Sequence, residues 1–418
     1  LGREAVFNSL TLEITTDIDN ATDFDPEALL REYRGFCSSA RVSMATFFVT
    51  GECPRKCRYC FVPGTLGTLN FDEIDNGFDL IGSLSGSRPV DILIYGGEPL
   101  LRPDLVERIV RKARDGDNIS LATGGWPVPD GLAEMLAGRD VFLIVSFDGA
   151  RETHNSIRPL PGGDSFESAL KTYETFRRAG CRIGISMTIS RENLSVARGA
   201  FGHLMRALKP DDMGLNPWMH PLPGMKRNPC ETEWQDVFDV ITGCLLDAIS
   251  EGVYVEQLFR RLRPLVTSTP RLKDCPSRGG RLVFTGGGHV GPCDCMSAAG
   301  LYTSRRGKDM RKTLDVFSRL VPVFRDECLA CPCVALCGGG CLYDAFTETG
   351  SLTGVRNKRC EFERKLLFWM LGLMLDSLPE GRSPGPLAPR ELLSSLPDGI
   401  LDRWRMPQPE AMLGGELR

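Results

Sequence analysis

From residue 42 to about 225, short apolar runs rich in β-branched residues alternate with amphipathic stretches, and the alternation recurs six times. Bounded by turn-forming residues, the runs read as strands, at Val42–Thr50, Val90–Tyr95, Ile119–Thr123, Val141–Phe147, Ile183–Ile189 and Met213–Trp218. Helical periodicity falls near 72–84, 103–115, 129–137, 165–179, 194–208 and 233–251. Successive strand–helix units of this kind predict an α/β fold around a parallel sheet.

After residue 225 the pattern changes. A helical bridge over 226–270 leads to a cysteine-dense, glycine-rich segment, 271–365, whose irregular composition predicts a separate domain organised by metal ligation more than by a packed core. The apolar run Leu366–Leu375 is ten residues long, too short to cross a bilayer, and predicts a buried or docking helix. Beyond it the tail carries Pro379, Pro384, Pro386, Pro389, Pro397, Pro407 and Pro409, which predicts an extended wrap with at most a short helical turn or two near Arg390–Leu396. The chain thus divides into an N-terminal extension (1–41), an α/β unit (42–225), a bridge (226–270), a cysteine-rich unit (271–365) and a C-terminal helix with a proline-rich tail (366–418).

Composition narrows the function. At 418 residues and 42% hydrophobic content, the chain can bury cores for two or three domains. With a net charge of −4 and no basic stripe interleaved with aromatics, nothing points to a nucleic-acid partner. There are 16 cysteines, yet Leu1–Phe7 lacks the basic-then-apolar pattern of a signal peptide, so metal ligation in a reducing cytoplasm is expected over disulfides.

The chemistry starts at Cys53-x3-Cys57-x2-Cys60, directly after the first strand. Three close thiols can hold an iron–sulfur cubane and leave one iron for an outside chelator, whereas structural zinc takes a fourth protein ligand. After the second strand comes Gly96-Gly97-Glu98-Pro99, whose paired glycines let backbone approach a ligand. These two motifs, with Tyr59 just before the third cysteine, resemble those of the radical S-adenosylmethionine (radical SAM) enzymes. The resemblance implies a partial (β/α)6 barrel with functional groups at the C-terminal ends of its strands. It also implies a [4Fe–4S] cluster on Cys53, Cys57 and Cys60 that reductively cleaves S-adenosylmethionine to a 5′-deoxyadenosyl radical. Gly96, Gly97, Glu98 and Pro99 would grip the methionine end, with Tyr59 nearby. Thr123-Gly124-Gly125 looks like the polar turn many relatives place near the cofactor, although their commonest version has Asn where Gly124 stands. Ser146, in Val145-Ser-Phe-Asp-Gly149 ahead of His154 and Arg158, is similar to the Ser-x-Asp-Gly signature of peptide-modifying maturases. Thr188 and Leu215 stand where relatives contact the adenosine.

A second array reads Cys275-x12-Gly288-x4-Cys293, then Cys328-x2-Cys331-x5-Cys337-x3-Cys341-x18-Cys360. An isolated C-x2-C would favour zinc; beside the first motif, the array resembles the SPASM extension, which implies a C-terminal cysteine-rich iron–sulfur domain with two auxiliary clusters, three clusters in all. By position, Cys328, Cys331, Cys337 and Cys360 would hold one, and Cys275, Cys293 and Cys341 the other. Many relatives have a further cysteine where this chain has Arg278 and Arg281, so the fourth position is left to Cys295 or to an open iron. Cys333 is unassigned, and Cys37, Cys181, Cys230 and Cys244 read as free thiols. Gly338-Gly339-Gly340 would fold tightly round sulfides, with amide donors toward their charge.

The family resemblance implies an oxidoreductase acting on a side chain of a peptide or protein, supplied with electrons by a flavodoxin- or ferredoxin-type reductant and free of any membrane. About 41 residues precede the first strand, too few for the winged-helix leader-binding domain of many peptide maturases. A small-molecule substrate such as a sugar, aminocyclitol or amino acid is the alternative, and a non-enzymatic iron–sulfur carrier a third. No catalytic base stands out: Asp148, His220, Tyr343 and Asp344 are candidates, but each reads rather as a cap, turn residue or hydrogen-bond anchor, and none is assigned to the site.

Overall fold

The computed structural model describes residues 6–12, 14–15, 25–217, 233–256, 260–261, 264, 270–355 and 357–376. His220, Cys230, the Trp218 end of the sixth predicted strand, much of the bridge and the proline-rich tail lie outside the described residues.

A small antiparallel hairpin, β1 (Val6–Phe7) and β2 (Ile14–Thr15), precedes helix Pro26–Cys37. The six expected strands follow as β3 (Met44–Phe48), β4 (Asp91–Tyr95), β5 (Asn118–Thr123), β6 (Phe142–Ser146), β7 (Ile183–Ile189) and β8 (Asp212–Pro217), parallel and in sequence order. Each of the first five connects to the next through a helix: Phe71–Ser85, Pro103–Lys112, Leu132–Gly138, Ser165–Arg178 and Ala197–Leu208. This is the α/β architecture of a partial barrel. Strand pleating sorts the side chains by parity: Ile144 and Ser146, and Ser186 and Thr188, turn to one cavity, while Leu143, Val145, Ile185 and Met187 between or beside them sink into the core. A short helix missed by periodicity, Arg151–Ile157, follows β6.

The sheet does not stop at the barrel. From the cysteine-rich segment, β9 (Arg281–Thr285) lies parallel to β3, with Met44 opposite Arg281 and Phe47 opposite Phe284, and it carries β10 (His289–Gly291) and β11 (Ser304–Arg305) antiparallel beyond it. Phe47 stacks on Phe284 at 4.8 Å and on Phe78 at 5.2 Å. Leu282, Phe284, Met310, Leu314, Val334 and Leu336 join the barrel's apolar core. The expectation that metal ligation more than packing organises 271–365 is therefore corrected: apolar burial and strand pairing across the 271 boundary hold much of it in place. The C-terminal helix Asn357–Asp376 packs its Leu366, Leu367 and Met370 face into the same core and sets Phe362 against Trp234 of helix Trp234–Ser250, ring centroids 5.0 Å apart.

Candidate functional site

The loop that follows β3 is fixed by backbone bonds at both ends. Gly51 N donates to Gly67 O at 2.8 Å, Gly97 N to Thr50 O at 2.7 Å and Glu98 N to Glu52 O at 2.9 Å. At Gly97 an added Cβ would stand 2.2 Å from the Glu52 carbonyl oxygen, so only glycine lets the two motifs close on each other. The result is a single cradle. Cys53, Cys57 and Cys60 face a cavity of about 440 Å³ over the strand ends, together with Tyr59, Gly96, Gly97, Glu98, Thr123, Ser146, Thr188 and Leu215. Pro99 is not among its lining residues; buried, it opens the turn Pro99–Leu101. Burial pushes the Cys53 thiol up to about 11 and raises Cys57 and Cys60, so these sulfurs ionise readily only when positive charge arrives with a metal.

Under the cradle runs a buried polar network that the linear sequence does not reveal. Glu98, fully buried, accepts from Thr123 Oγ1 at 2.7 Å, Gly124 N at 3.1 Å and Leu100 N at 3.2 Å, and pairs with Arg55 Nη1 at 3.5 Å. Arg55, inside the cysteine loop, also donates to the Gly125 carbonyl and, through Nε, to Ser165 Oγ at 3.0 Å. Ser165 Oγ lies 3.2 Å from His154 Nε2, and His154 Nδ1 accepts from Asp148 N at 3.2 Å. The Asp148 carboxylate accepts from the Tyr59 hydroxyl, from Arg158 Nε at 2.5 Å and from Thr188 N at 2.8 Å, while the Arg158 guanidinium sits 5.3 Å over the Tyr59 ring.

These contacts settle several roles. Asp148, a candidate proton acceptor from sequence, is fully committed as an anchor between the ends of β6 and β7 and the cysteine loop. His154 is fully buried, and burial, then the Arg158 charge, lower its pKa to about 3; it serves as a neutral hydrogen-bonding strut. Arg55 was missed, though a cation within a thiolate loop is a readable signal. Asn216 and Pro217, beside Leu215 at the end of the sixth strand, line the cavity too, as do Ser186, Ile241 and Leu245, which had no sequence signature.

The opposite wall comes from the second cysteine array and the C-terminal helix: Cys341, Asp344, Arg359, Phe362 and Leu366. Cys293 packs with Met296, Phe317, Leu342 and Tyr343, and Cys295 and Cys341 border the same apolar cluster. Burial raises Cys293 to about 11, and the Cys275 charge adds to it, which puts Cys275 in the same neighbourhood. Farther on, Cys328 feels Cys360 and Cys331, while Cys331 is lowered to about 6, chiefly by a hydrogen bond from Cys333. Among the described residues no cysteine is in a disulfide, and no three Cys, His, Asp or Glu side chains close on one ion-sized point. A cubane needs a wider cage than a single ion, and three thiols around one cavity, with Cys341 the only other cysteine facing it among the described residues, form a donor set that fits a cluster with an open corner.

Residues 47–196 match the family model described as the Radical SAM superfamily. Residues 47–196 therefore form a domain of this superfamily. A [4Fe–4S] cluster and S-adenosylmethionine are the cofactors of a radical SAM enzyme. The AdoMet-dependent heme synthase of Methanosarcina barkeri is 36% identical over 153 residues, which is 35% of this chain and 42% of that protein, so the chain spans less than half of that relative. In fold the likeness is longer. A structure of anSMEcpe with bound AdoMet and a peptide aligns with a TM-score of 0.68 at 17% identity, covering 80% of this chain and 98% of that one. Streptococcus suis SuiB bound to precursor peptide SuiA aligns at 0.57 and 14% identity, covering 82% and 84%. The overlay extends well past the barrel, so the likeness in fold to these structures takes in more than the α/β unit. Among the described residues no helix is long and apolar enough to cross a membrane.

Proposed function

We propose that the chain is a radical SAM oxidoreductase that abstracts hydrogen from a side chain of a peptide or protein and oxidises or cross-links it. One observation carries the reading: a single cavity runs from Cys53, Cys57 and Cys60 to Cys341 of the second array, so a substrate held between them would face both. When bound, the cluster and S-adenosylmethionine supply a 5′-deoxyadenosyl radical. The protein supplies position. Cys53, Cys57 and Cys60 hold the cluster; the Gly96–Glu98 backbone, Thr123, Ser146, Thr188 and Leu215 hold the cofactor. The buried Glu98–Arg55 and Asp148–Arg158 pairs fix the loops that carry them. Ile241, Leu245, Phe362 and Leu366 give the substrate side an apolar lining that excludes water. In this reading Cys328, Cys331, Cys337 and Cys360 bind one auxiliary cluster. Cys275, Cys293 and Cys341 bind the other, with Cys295 as the fourth ligand, supported by its packing beside Cys293 and Cys341. Held there, such clusters would supply an acceptor for the electron left after oxidation. A flavodoxin- or ferredoxin-type reductant in the cytoplasm starts the cycle.

A second reading, a small-molecule substrate, is favoured by the heme synthase relative. One experiment separates the two. The enzyme is reconstituted anaerobically, reduced with dithionite and offered either the peptide or the small-molecule fraction of cells grown on perdeuterated medium. Deuterium in 5′-deoxyadenosine from the peptide fraction alone is expected; deuterium only from the small-molecule fraction would overturn the peptide reading. No 5′-deoxyadenosine under any condition would remove both.

A further inference from the structure

The loop Gly338–Gly340 joins Cys337 to Cys341, thiols that the reading above gives to different auxiliary clusters. Arg278 is seated in that loop. It is 1% exposed and heads the largest fully buried side chains of the described residues. Its Nη2 donates to Gly339 O at 2.6 Å and to Gly340 O at 2.9 Å, and its backbone N closes a turn onto Cys275 O at 3.0 Å. Gly339 has φ +90°, and a Cβ there would lie 2.7 Å from the guanidinium carbon, so the loop shuts over the cation only because no side chain intervenes. The groups whose charge it feels are Asp274, Cys337, Cys275 and Cys341. Asp274 is already engaged by Arg271. Both Nε and Nη1 of Arg278 are buried with no acceptor, a desolvation cost that a negative, acceptor-rich partner would offset.

We infer that Arg278 is the shared counter-cation of two auxiliary iron–sulfur clusters, its unmatched N–H groups donating to cluster sulfur on either side of the Cys337–Cys341 loop. A fixed positive charge and N–H donors both favour the reduced cluster, so one guanidinium raises both potentials. It also eases the repulsion between two anionic centres.

The inference rests on the auxiliary-cluster reading, and the test keeps them apart. Full-length wild type, Arg278→Gln and Arg278→Lys are reconstituted anaerobically, assayed for iron and sulfide, then titrated potentiometrically by electron paramagnetic resonance. With iron content retained, both auxiliary midpoints are expected to fall in Arg278→Gln by at least a tenfold change in the reduced-to-oxidised ratio, about 59 mV for a one-electron couple. The radical-cluster midpoint should not move. Arg278→Lys, which keeps the charge but loses the donor fork, is expected to show a smaller fall in both, and it carries the test should the Gln variant lose iron. Unmoved auxiliary midpoints at full iron content, or movement of only one, would overturn the shared role. A wild type that holds only about four irons, one cubane, would overturn the auxiliary-cluster reading and this inference with it.

Discussion

At the strand ends of the barrel, buried charges find protein partners: Asp148 has Tyr59, Arg158 and Thr188, and Glu98 has Arg55, Thr123 and two backbone amides. Across the cavity buried pairs form as well, Arg281 with Asp294, Arg271 with Asp274 and Arg261 with Glu363, but more charged atoms are left over. Arg278 Nε and Nη1, Arg281 Nε, Asp294 Oδ1 and Arg325 Nη2 are buried without acceptor or donor, whereas the barrel's orphans are chiefly the Thr46 and Ser190 hydroxyls and one oxygen of Glu192. The barrel leaves mostly neutral hydroxyls over; the other side leaves guanidinium N–H groups, which a cluster held by the neighbouring thiols would meet under the proposed function. The difference teaches where order comes from: hydrogen bonds hold the cofactor cradle, while apolar packing and strand pairing hold the cysteine-rich wall, which cluster loading would finish under the proposed function.

The sharpest break tests the two walls' separate duties. Cys57→Ala is expected to drop 5′-deoxyadenosine below detection while circular dichroism still reports a folded barrel. Cys331→Ala should lose about a third of the iron, four of roughly twelve atoms, and make no product, yet continue some uncoupled cofactor cleavage by chromatography. Product formation equal to wild type in either variant would contradict the assignment. Next, chelating the iron should raise amide exchange in residues 275–341 by an order of magnitude or more and leave 142–189 nearly unchanged; equal loosening of both would erase the contrast. Within the barrel, Arg158→Met strands the Asp148 carboxylate and is expected to cost about 3–5 kcal/mol in urea unfolding of the apo chain.

The smallest expected effect is a pH dependence. His154 is held neutral, its folded pKa of about 3 lying below an unfolded value of about 6.5. The unfolded chain therefore binds the extra proton between those values. The contribution is fully present above about 6.5 and is lost as pH falls toward 3, about 2 kcal/mol between pH 7 and 5. His154→Gln should flatten that slope; an unchanged slope would remove histidine as its source.

Much of this was legible in the chain because it is local. Each of the six barrel strands is a contiguous apolar run, and both Cys53–Cys60 and Gly96–Pro99 sit at the ends of strands the pattern locates. Their fit to each other, Gly97 against Glu52, follows from β3 and β4 being neighbours. The network under them was hidden: Tyr59 meets Asp148 across 89 positions and Arg55 meets Ser165 across 110, and neither pairing leaves a periodicity. The run Arg281–Thr285, flanked by Gly279-Gly280 and Gly286-Gly287-Gly288, did carry a strand signal, masked by the surrounding cysteines. Arg278 and Arg281 were noticed only as places where a cysteine was missing; burial shows that something else was installed there.

Because β9 pairs along Met44–Phe47, the two halves cannot be pared apart cleanly. A chain shortened ahead of Arg281 would leave the first barrel strand with a row of open amide and carbonyl groups beside exposed aromatic surface, a template for self-association. The cysteine-rich half is thus also the barrel's guard against aggregation, which ties the inheritance of one to the other.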